Sequence, residues 1–280
     1  MHAFGNFGLV DRVPARAHTS SMPRIESYVR TKICPDTPTL AGKVAAFAIV
    51  VSDDDTDFHQ HAQGQLCFAV QGCTRLTVGD LLCLLPPSRA VWIPPHIPHR
   101  TVVRHSADVR LVFYDEQTSA QLPQQAFVMA VSPLMEAIVE ALVVAPVDQD
   151  WAEPPFDHLI ELSLHEIREA PRQPMLLPMP QDRRLAPLMA QPDVLPPELR
   201  ELANVIGATA KTIGRIFQRE TGMSYQQWRQ QWRVLRGVEM LVTGQPVSHT
   251  SAELGFASDS AFISFFKQMI GCTPGAYLKR

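Results

Sequence analysis

The stretch from Leu199 to Gly271 holds two copies of one pattern, a short helix, a turn and a longer helix, and this constrains the fold more than any other feature of the chain. In the first copy Leu199, Leu202, Ala203 and Ile206 fall at i, i+3, i+4 and i+7, one face of a short helix. Gly207 breaks it. Thr209 is placed to cap a second helix whose inward positions are Ile213, Ile216 and Phe217. That leaves Lys211, Thr212, Gly214, Arg215, Gln218 and Arg219 on an outer face that is cationic and rich in hydrogen-bond donors. The second copy, Val247 to Gly271, repeats the plan. Its first helix ends at Leu254, its turn is Gly255-Phe256, and its second helix starts at Asp259 with Phe262, Phe265 and Phe266 facing inward. Asp259, Ser260, Ile263, Ser264 and Lys267 are the outward positions there.

Between the copies, Trp228, Trp232 and Leu235 recur at i, i+4 and i+7, with Leu241 further on, which predicts one long helix over Tyr225–Thr243. A rigid connector would hold the two outer faces at a fixed separation. Arg229, Arg233 and Arg236 on it are candidates either for phosphate contacts or for ordinary solubility.

The string Gly255-Phe256-Ala257-Ser258-Asp259-Ser260-Ala261-Phe262, followed by Phe266-Lys267, Gly271, Thr273-Pro274 and Tyr277, resembles the carboxy-terminal signature of AraC/XylS-type transcriptional regulators. Leu202-Ala203, Arg215, Phe217, Gly222 and Ser224 match that family's first helix-turn-helix, so the resemblance spans residues 181–280. It implies a tandem helix-turn-helix domain on double-stranded promoter DNA, with RNA polymerase as a further partner. Heads about 34 Å apart would enter successive major grooves on one face of the duplex. The chain departs from the family at Thr250 and Ser251, where Ile and Ala are usual, and at Ser264, where Arg is common. The second head is therefore expected to grip DNA less firmly.

Charge points the same way. Residues 181–280 carry a balance of +4 and residues 1–180 a balance of −7, a split hidden in the net charge of −3. Phosphate binding by the C-terminal part alone fits that division. With 280 residues and 46% hydrophobic content the chain can bury a sizeable core, and two domains are expected. Apolar runs such as Val44–Val51 fall far short of the ~20 residues of a spanning helix. Met1–Ser21 lacks the apolar core of a secretory signal and reads as a flexible tail, residues 1–21, of a cytoplasmic protein. Cys34, Cys67, Cys73, Cys83 and Cys272 contain no C-x-x-C pair, which argues for reduced thiols over a disulfide framework or zinc knuckle.

Residues 22–126 read as β structure: Val44–Val51, Leu66–Val70, Thr74–Val78, Leu81–Leu85, Val91–Ile93 and Val109–Tyr114 are short apolar runs divided by Gly, Pro and Asp turns. Such a series suggests a barrel or jelly roll. His59-Gln60-His61, Gln65 and Gly72, then Pro94, Pro98 and His99, are similar to the two cupin motifs H-x-H-x3-E-x6-G and P-x-G-x2-H with their spacing intact. Gln65 stands in place of the Glu, His96 in place of the Gly, and Val103 where an Asn would follow. The resemblance places His59, His61, Gln65 and His99 inside the barrel, as an effector pocket for a small molecule. No cofactor is expected, and a divalent transition metal on His59, His61 and His99 is the one candidate, weakened by loss of the carboxylate. Metal cupins include oxygenases and isomerases, so a cupin enzyme fused to a DNA-binding module is the alternative. The chain has no nucleophile elbow, P-loop or dinucleotide fingerprint, and the reading here is that it is not an enzyme.

Residues 127–170 are expected to be helical. Leu134, Ile138 and Leu142 in Pro133–Val144, and Phe156, Leu159, Ile160, Leu164 and Ile167 in Phe156–Glu169, form apolar stripes that need a partner, either the barrel or a second copy in a homodimer. Pro171, Pro174, Pro178 and Pro180 predict an extended connector at residues 171–180. The Asp182–Met189 stretch follows as a first helix shortened or kinked by Pro187. The expected whole is a multi-domain α+β chain: a cupin-like β-barrel of jelly-roll type with a helical dimerisation segment, then an all-α tandem helix-turn-helix domain.

Overall fold

A computed structural model describes residues 42–146, 149–173, 175–191 and 193–279. The expected tail, residues 1–21, and Cys34 lie outside them. Eleven strands fill the first part: β1 (Val44–Val51), β2 (Asp54–Asp55), β3 (Gly64–Gln71), β4 (Thr74–Val78), β5 (Leu81–Leu85), β6 (Arg89–Ile93), β7 (His99–Val103), β8 (Ala107–Tyr114), β9 (Phe127–Ala130), β10 (Arg172–Gln173) and β11 (Leu176–Pro178). They form two antiparallel sheets, ordered β1-β8-β3-β6-β9-β10 and β11-β5-β4-β7-β2, a jelly-roll-like pair of sheets in place of one closed barrel. Ile49, Cys67, Leu76, Cys83, Ile93 and Val109 belong to the core between them. Burial pushes the Cys67 thiol up to about 12, so it is inert at neutral pH.

The short α1 (Glu116–Ser119) is followed, after β9, by α2 (Pro133–Val143) and α3 (Phe156–Glu169). The segment expected to be helical throughout therefore begins with a strand, because Phe127–Ala130 pairs with β6. Met135, Ile138 and Leu142 of α2 and Ile160, Leu164 and Ile167 of α3 cover Leu66, Phe68, Trp92 and Val112 on the outside of the six-stranded sheet. Each such side chain contributes about 1.5–3 kcal/mol by leaving water. Polar contacts fix the docking: the Tyr114 hydroxyl donates to Ser163 Oγ at 3.0 Å, and Arg110 Nε donates to Glu140 at 2.7 Å. The apolar stripes are thus spent on the sheet, while Leu134 and Leu162 remain exposed.

The proline-dense segment is extended, as its prolines require, but it is no free connector. Arg172-Gln173 pairs with β9 and Leu176–Pro178 with β5, so the segment completes both sheets before entering the helical part. There a 3₁₀ turn (Arg183–Leu185) leads into α4 (Ala186–Met189), with Pro187 in its first turn, where no amide hydrogen is needed. Five helices follow α4 and α5: α5 is Leu199–Ile206, then α6 (Ala210–Thr221), α7 (Tyr225–Val242), α8 (Val247–Glu253), α9 (Asp259–Ile270) and α10 (Pro274–Tyr277). Thr209 caps α6 by accepting from the Thr212 amide, and Ser224 and Gln227 close a capping box on α7. Gly222 ends α6 at φ +70°, a left-handed conformation that glycine adopts without strain.

Candidate functional site

Two places in the fold bring chemistry together. The first is the outer face of α6. Ile213, Ile216 and Phe217 are buried against α7, where Phe217 meets Tyr225 and Trp228 edge-on at centroid distances of 5.0 and 5.3 Å. Lys211, Arg215 and Arg219 are exposed, and Thr212 and Gly214 half-buried. Lys211, Arg215 and Arg219 stand at i, i+4 and i+8, one continuous stripe. Arg219 is tied to Glu220 and lies 4.0 Å from Asp182, whose carboxylate also holds Arg184 at 2.7 Å. Arg184, on the 3₁₀ turn, therefore prolongs the cationic stripe. Its sequence neighbourhood held no signal of this, since the contact joins elements far apart in the chain.

In the second copy Phe262 and Phe266 are fully buried, and Phe265 only in part. Ser260, Ser264 and Lys267 are exposed and Ile263 is half-buried. Asp259 has a local task, accepting a hydrogen bond from the Ser251 hydroxyl of α8. The arginines of α7 are committed as well. Arg229 donates to Pro196 O at 2.6 Å and pairs with Glu198 at 2.9 Å; Arg233 donates to Leu254 O at 2.9 Å and lies 3.7 Å from the centroid of the Phe256 ring; Arg236 donates to Glu239 at 2.6 Å. Arg229 and Arg233 thereby brace the two copies against the connector, and Arg236 is held by a neighbour on its own helix.

The second place is a histidine cluster between the sheets. His59 and His99 exchange backbone hydrogen bonds of 3.0 and 2.8 Å, and the His96 amide donates to His61 O at 2.8 Å. His96, where the motif has Gly, keeps the left-handed turn at φ +61°, a conformation uncommon for side-chain-bearing residues. Gly72 keeps its motif role: at φ +78° an added Cβ would lie 2.3 Å from Ser106 O. Each imidazole uses Nδ1 toward a backbone carbonyl: His59 to Asp57 at 2.8 Å, His61 to Gln63 at 2.8 Å, His99 to Ile97 at 2.9 Å. A carbonyl only accepts, so each Nδ1 carries a proton, and Nε2 is the atom of each ring left to meet another group.

Nε2 of His99 is buried with no hydrogen-bond partner among the described residues. Nε2 of His61 lies 3.1 Å from Gln65 Oε1, a pairing of two acceptors unless the ring is doubly protonated. Burial, the largest influence, lowers the His61 pKa and holds the ring neutral, so the Gln65 amide nitrogen is the group that faces it. Burial likewise takes the His99 pKa down to about 4. One ring nitrogen from each of His59, His61 and His99 lies within 4.8 Å of the others. Three imidazoles that converge in this way fit a divalent transition metal, for which His61 would give up its contact with Gln65, with no carboxylate to balance the charge.

A helix-turn-helix domain model matches residues 202–280. The HTH-type transcriptional regulator NimR of Escherichia coli (strain K12) is 32% identical over 240 residues, covering 84% of this chain and 87% of that protein. The HTH-type transcriptional regulator RipA of Corynebacterium glutamicum is 32% identical over 79 residues, covering 28% of this chain and 24% of that one. Among solved structures, unsaturated fatty acid bound ToxT from Vibrio cholerae aligns over 84% of this chain and 94% of its own at 13% identity and a TM-score of 0.33. A helix-turn-helix unit repeated on either side of one long helix, behind a two-sheet domain, together with these relatives makes the chain a DNA-binding transcriptional regulator. The chain belongs to the AraC/XylS family. No described helix is long and apolar enough to cross a membrane.

Proposed function

We propose that this regulator is effector-responsive: a small molecule or ion taken up at His59, His61, Gln65 and His99 alters how residues 181–280 engage promoter DNA. The observation that carries the reading is the unpartnered Nε2 of His99, buried at 1% exposure, because an orphaned buried acceptor costs about 1–3 kcal/mol and an occupant would recover it. The convergence of three ring nitrogens favours a divalent transition metal as one form of that occupant. Lys211, Thr212, Gly214, Arg215 and Arg219 make the main DNA contacts in this reading, with Ser260, Ile263, Ser264 and Lys267 in support and Asp259 held back by Ser251. The enzyme alternative has less behind it, since both full-length and partial relatives are named as transcriptional regulators.

In the same reading the protein acts in the cytoplasm as a homodimer that also touches RNA polymerase. Exposed Leu134 and Leu162 on α2 and α3 support a twofold contact there. The test is a duplex selected by the purified chain from a random library, with its affinity measured after chelation and again with added Zn²⁺ or Co²⁺. The reading expects a cation-dependent change in wild type that is lost in His99→Phe. Equal affinities throughout would leave the cation reading without support.

A further inference from the structure

The contact between the two-sheet domain and the reading heads is built around a charge cluster. Arg75 projects from β4 on the outside of the five-stranded sheet and is 7% exposed. Its Nη2 donates to Glu239 of α7 at 2.7 Å and to Asp193 at 2.8 Å. Arg236 of α7 reaches the same two carboxylates, at 2.6 and 3.5 Å. Beside the cluster, Leu82 and Leu84 of β5 and Trp232 and Leu235 of α7 line one small cavity between the sheet and the helix. An apolar contact alone would tolerate sliding. The buried Arg75–Glu239 pair does not, because displacing either charge would leave the other without compensation in a low-dielectric setting, while Asp193 and Arg236 close the cluster at its rim.

The position of Arg75 in its sheet gives the cluster a second connection. β4 pairs with β7, with Arg75 opposite Val102 and Val78 opposite His99. One strand therefore carries the arginine that grips α7 and flanks the histidine that lines the cluster between the sheets. α7 in turn joins the two reading heads. A shift of β7 at His99 displaces β4, and β4 cannot move without straining Arg75 against Glu239.

We propose that the Arg75–Glu239–Asp193–Arg236 cluster is the latch that couples the histidine site to the two reading heads. This rests on the effector-responsive reading above, deepening it to the route by which the site is regulated. Coupling is reciprocal, so DNA bound at the heads changes the affinity of the site for an occupant by the same factor as the occupant changes DNA affinity, and the strands that carry the coupling, β4 and β7, should register bound DNA. No effector is needed to see it.

The experiment is hydrogen exchange of the full chain, free and bound to a duplex it has selected from a random library. In wild type, DNA should slow exchange of β4 and β7 amides by roughly fivefold or more, the low end of ordinary coupling energies. Arg75→Met with Glu239→Leu, which replaces the ions by apolar groups of similar volume, should keep the fold and DNA affinity and abolish that change. Asp193→Asn, at the exposed rim, should reduce it without threatening the fold, and Arg75→Lys should retain part of it. A wild type whose β4 and β7 amides ignore DNA overturns the proposal. So does an unchanged response in both Arg75→Met/Glu239→Leu and Asp193→Asn. Failure to select any duplex would instead count against DNA reading itself.

Discussion

His59 and His99, from two motifs far apart in the chain, are locked side by side by reciprocal backbone hydrogen bonds, and their rings stand 4.3 Å apart between centroids. The backbone thus sets the cluster before any occupant arrives. Gln65 limits it, by supplying an amide where a carboxylate would balance a cation. Gln65→Glu should raise retention of Zn²⁺ or Co²⁺ through gel filtration by at least about tenfold, as a neutral donor set gains one negative charge. Elemental analysis of both proteins after metal-replete expression checks it, and equal, negligible metal in the two would remove the cation from consideration.

Acid should weaken the metal-free protein over a defined window. The native His99 ring stays neutral down to about pH 4, whereas in the unfolded chain it protonates near 6.5. Between those values the unfolded state binds more protons, so stability falls as pH drops from about 6.5 to about 4 and this contribution then levels off. The loss is about 3 kcal/mol, and His61, shifted the same way, adds to it. Urea melts of chelated protein at pH 7, 5.5 and 4 measure it, with His99→Phe showing a flatter profile.

Thr250 of α8 is fully buried, and its hydroxyl has no partner among the described residues. Removing an unsatisfied buried hydroxyl while keeping the shape should help. Thr250→Val is expected to stabilise the protein by about 1 kcal/mol, seen as a raised Tm, with DNA affinity unchanged.

Much of this architecture was legible in the sequence because it obeys short-range rules. The helix-turn-helix boundaries follow from Gly207, Gly222, Thr209 and Ser258, whose backbone and capping preferences act within a few residues. The histidine cluster was legible through the fixed spacing of its two motifs. What escaped were pairings between distant segments. Leu176–Pro178 looks like linker because proline forbids helix, yet extended chain is also what an edge strand needs, and β5 supplied the partner. Arg229, Arg233 and Arg236 stood open between phosphate contacts and solubility, because nothing local reveals Pro196 O, Leu254 O or Asp193, although Glu239 lies one turn from Arg236. Asp259 is exposed as its position in the pattern requires, but its bond from Ser251 was hidden for the same reason.

Arg215 lies at the centre of the exposed stripe of α6, and no described residue forms an ion pair with it. Arg215→Ala should weaken binding to a selected duplex by about 1–3 kcal/mol if it meets a base edge, with circular dichroism unchanged. A gel-shift series at wild-type affinity would contradict that role.

The two heads should contribute unequally. The first presents Lys211 and Arg215, with Arg219 and Arg184 exposed but paired with Glu220 and Asp182, while the second presents Ser260 and Ser264 with Lys267 as its cation beside Asp259. Electrostatic affinity scales with the phosphates neutralised, each contributing a slope of about 0.9 in log affinity against log salt. Alanine at Lys211 or Arg184 should therefore lower the salt slope by up to about one unit each, and alanine at Ser264 should leave it unchanged. The arginines of α7 cannot make up the difference, because their guanidinium groups are held by backbone carbonyls and carboxylates within the domain. Arg215 has no arginine counterpart on the outer face of α9, so a binding-site selection should show greater information content in the half-site under α6. Two half-sites of equal information would show that α9 reads bases as fully as α6, and an equal change of salt slope on neutralising either head would show that α9 neutralises as many phosphates; either result contradicts the inequality.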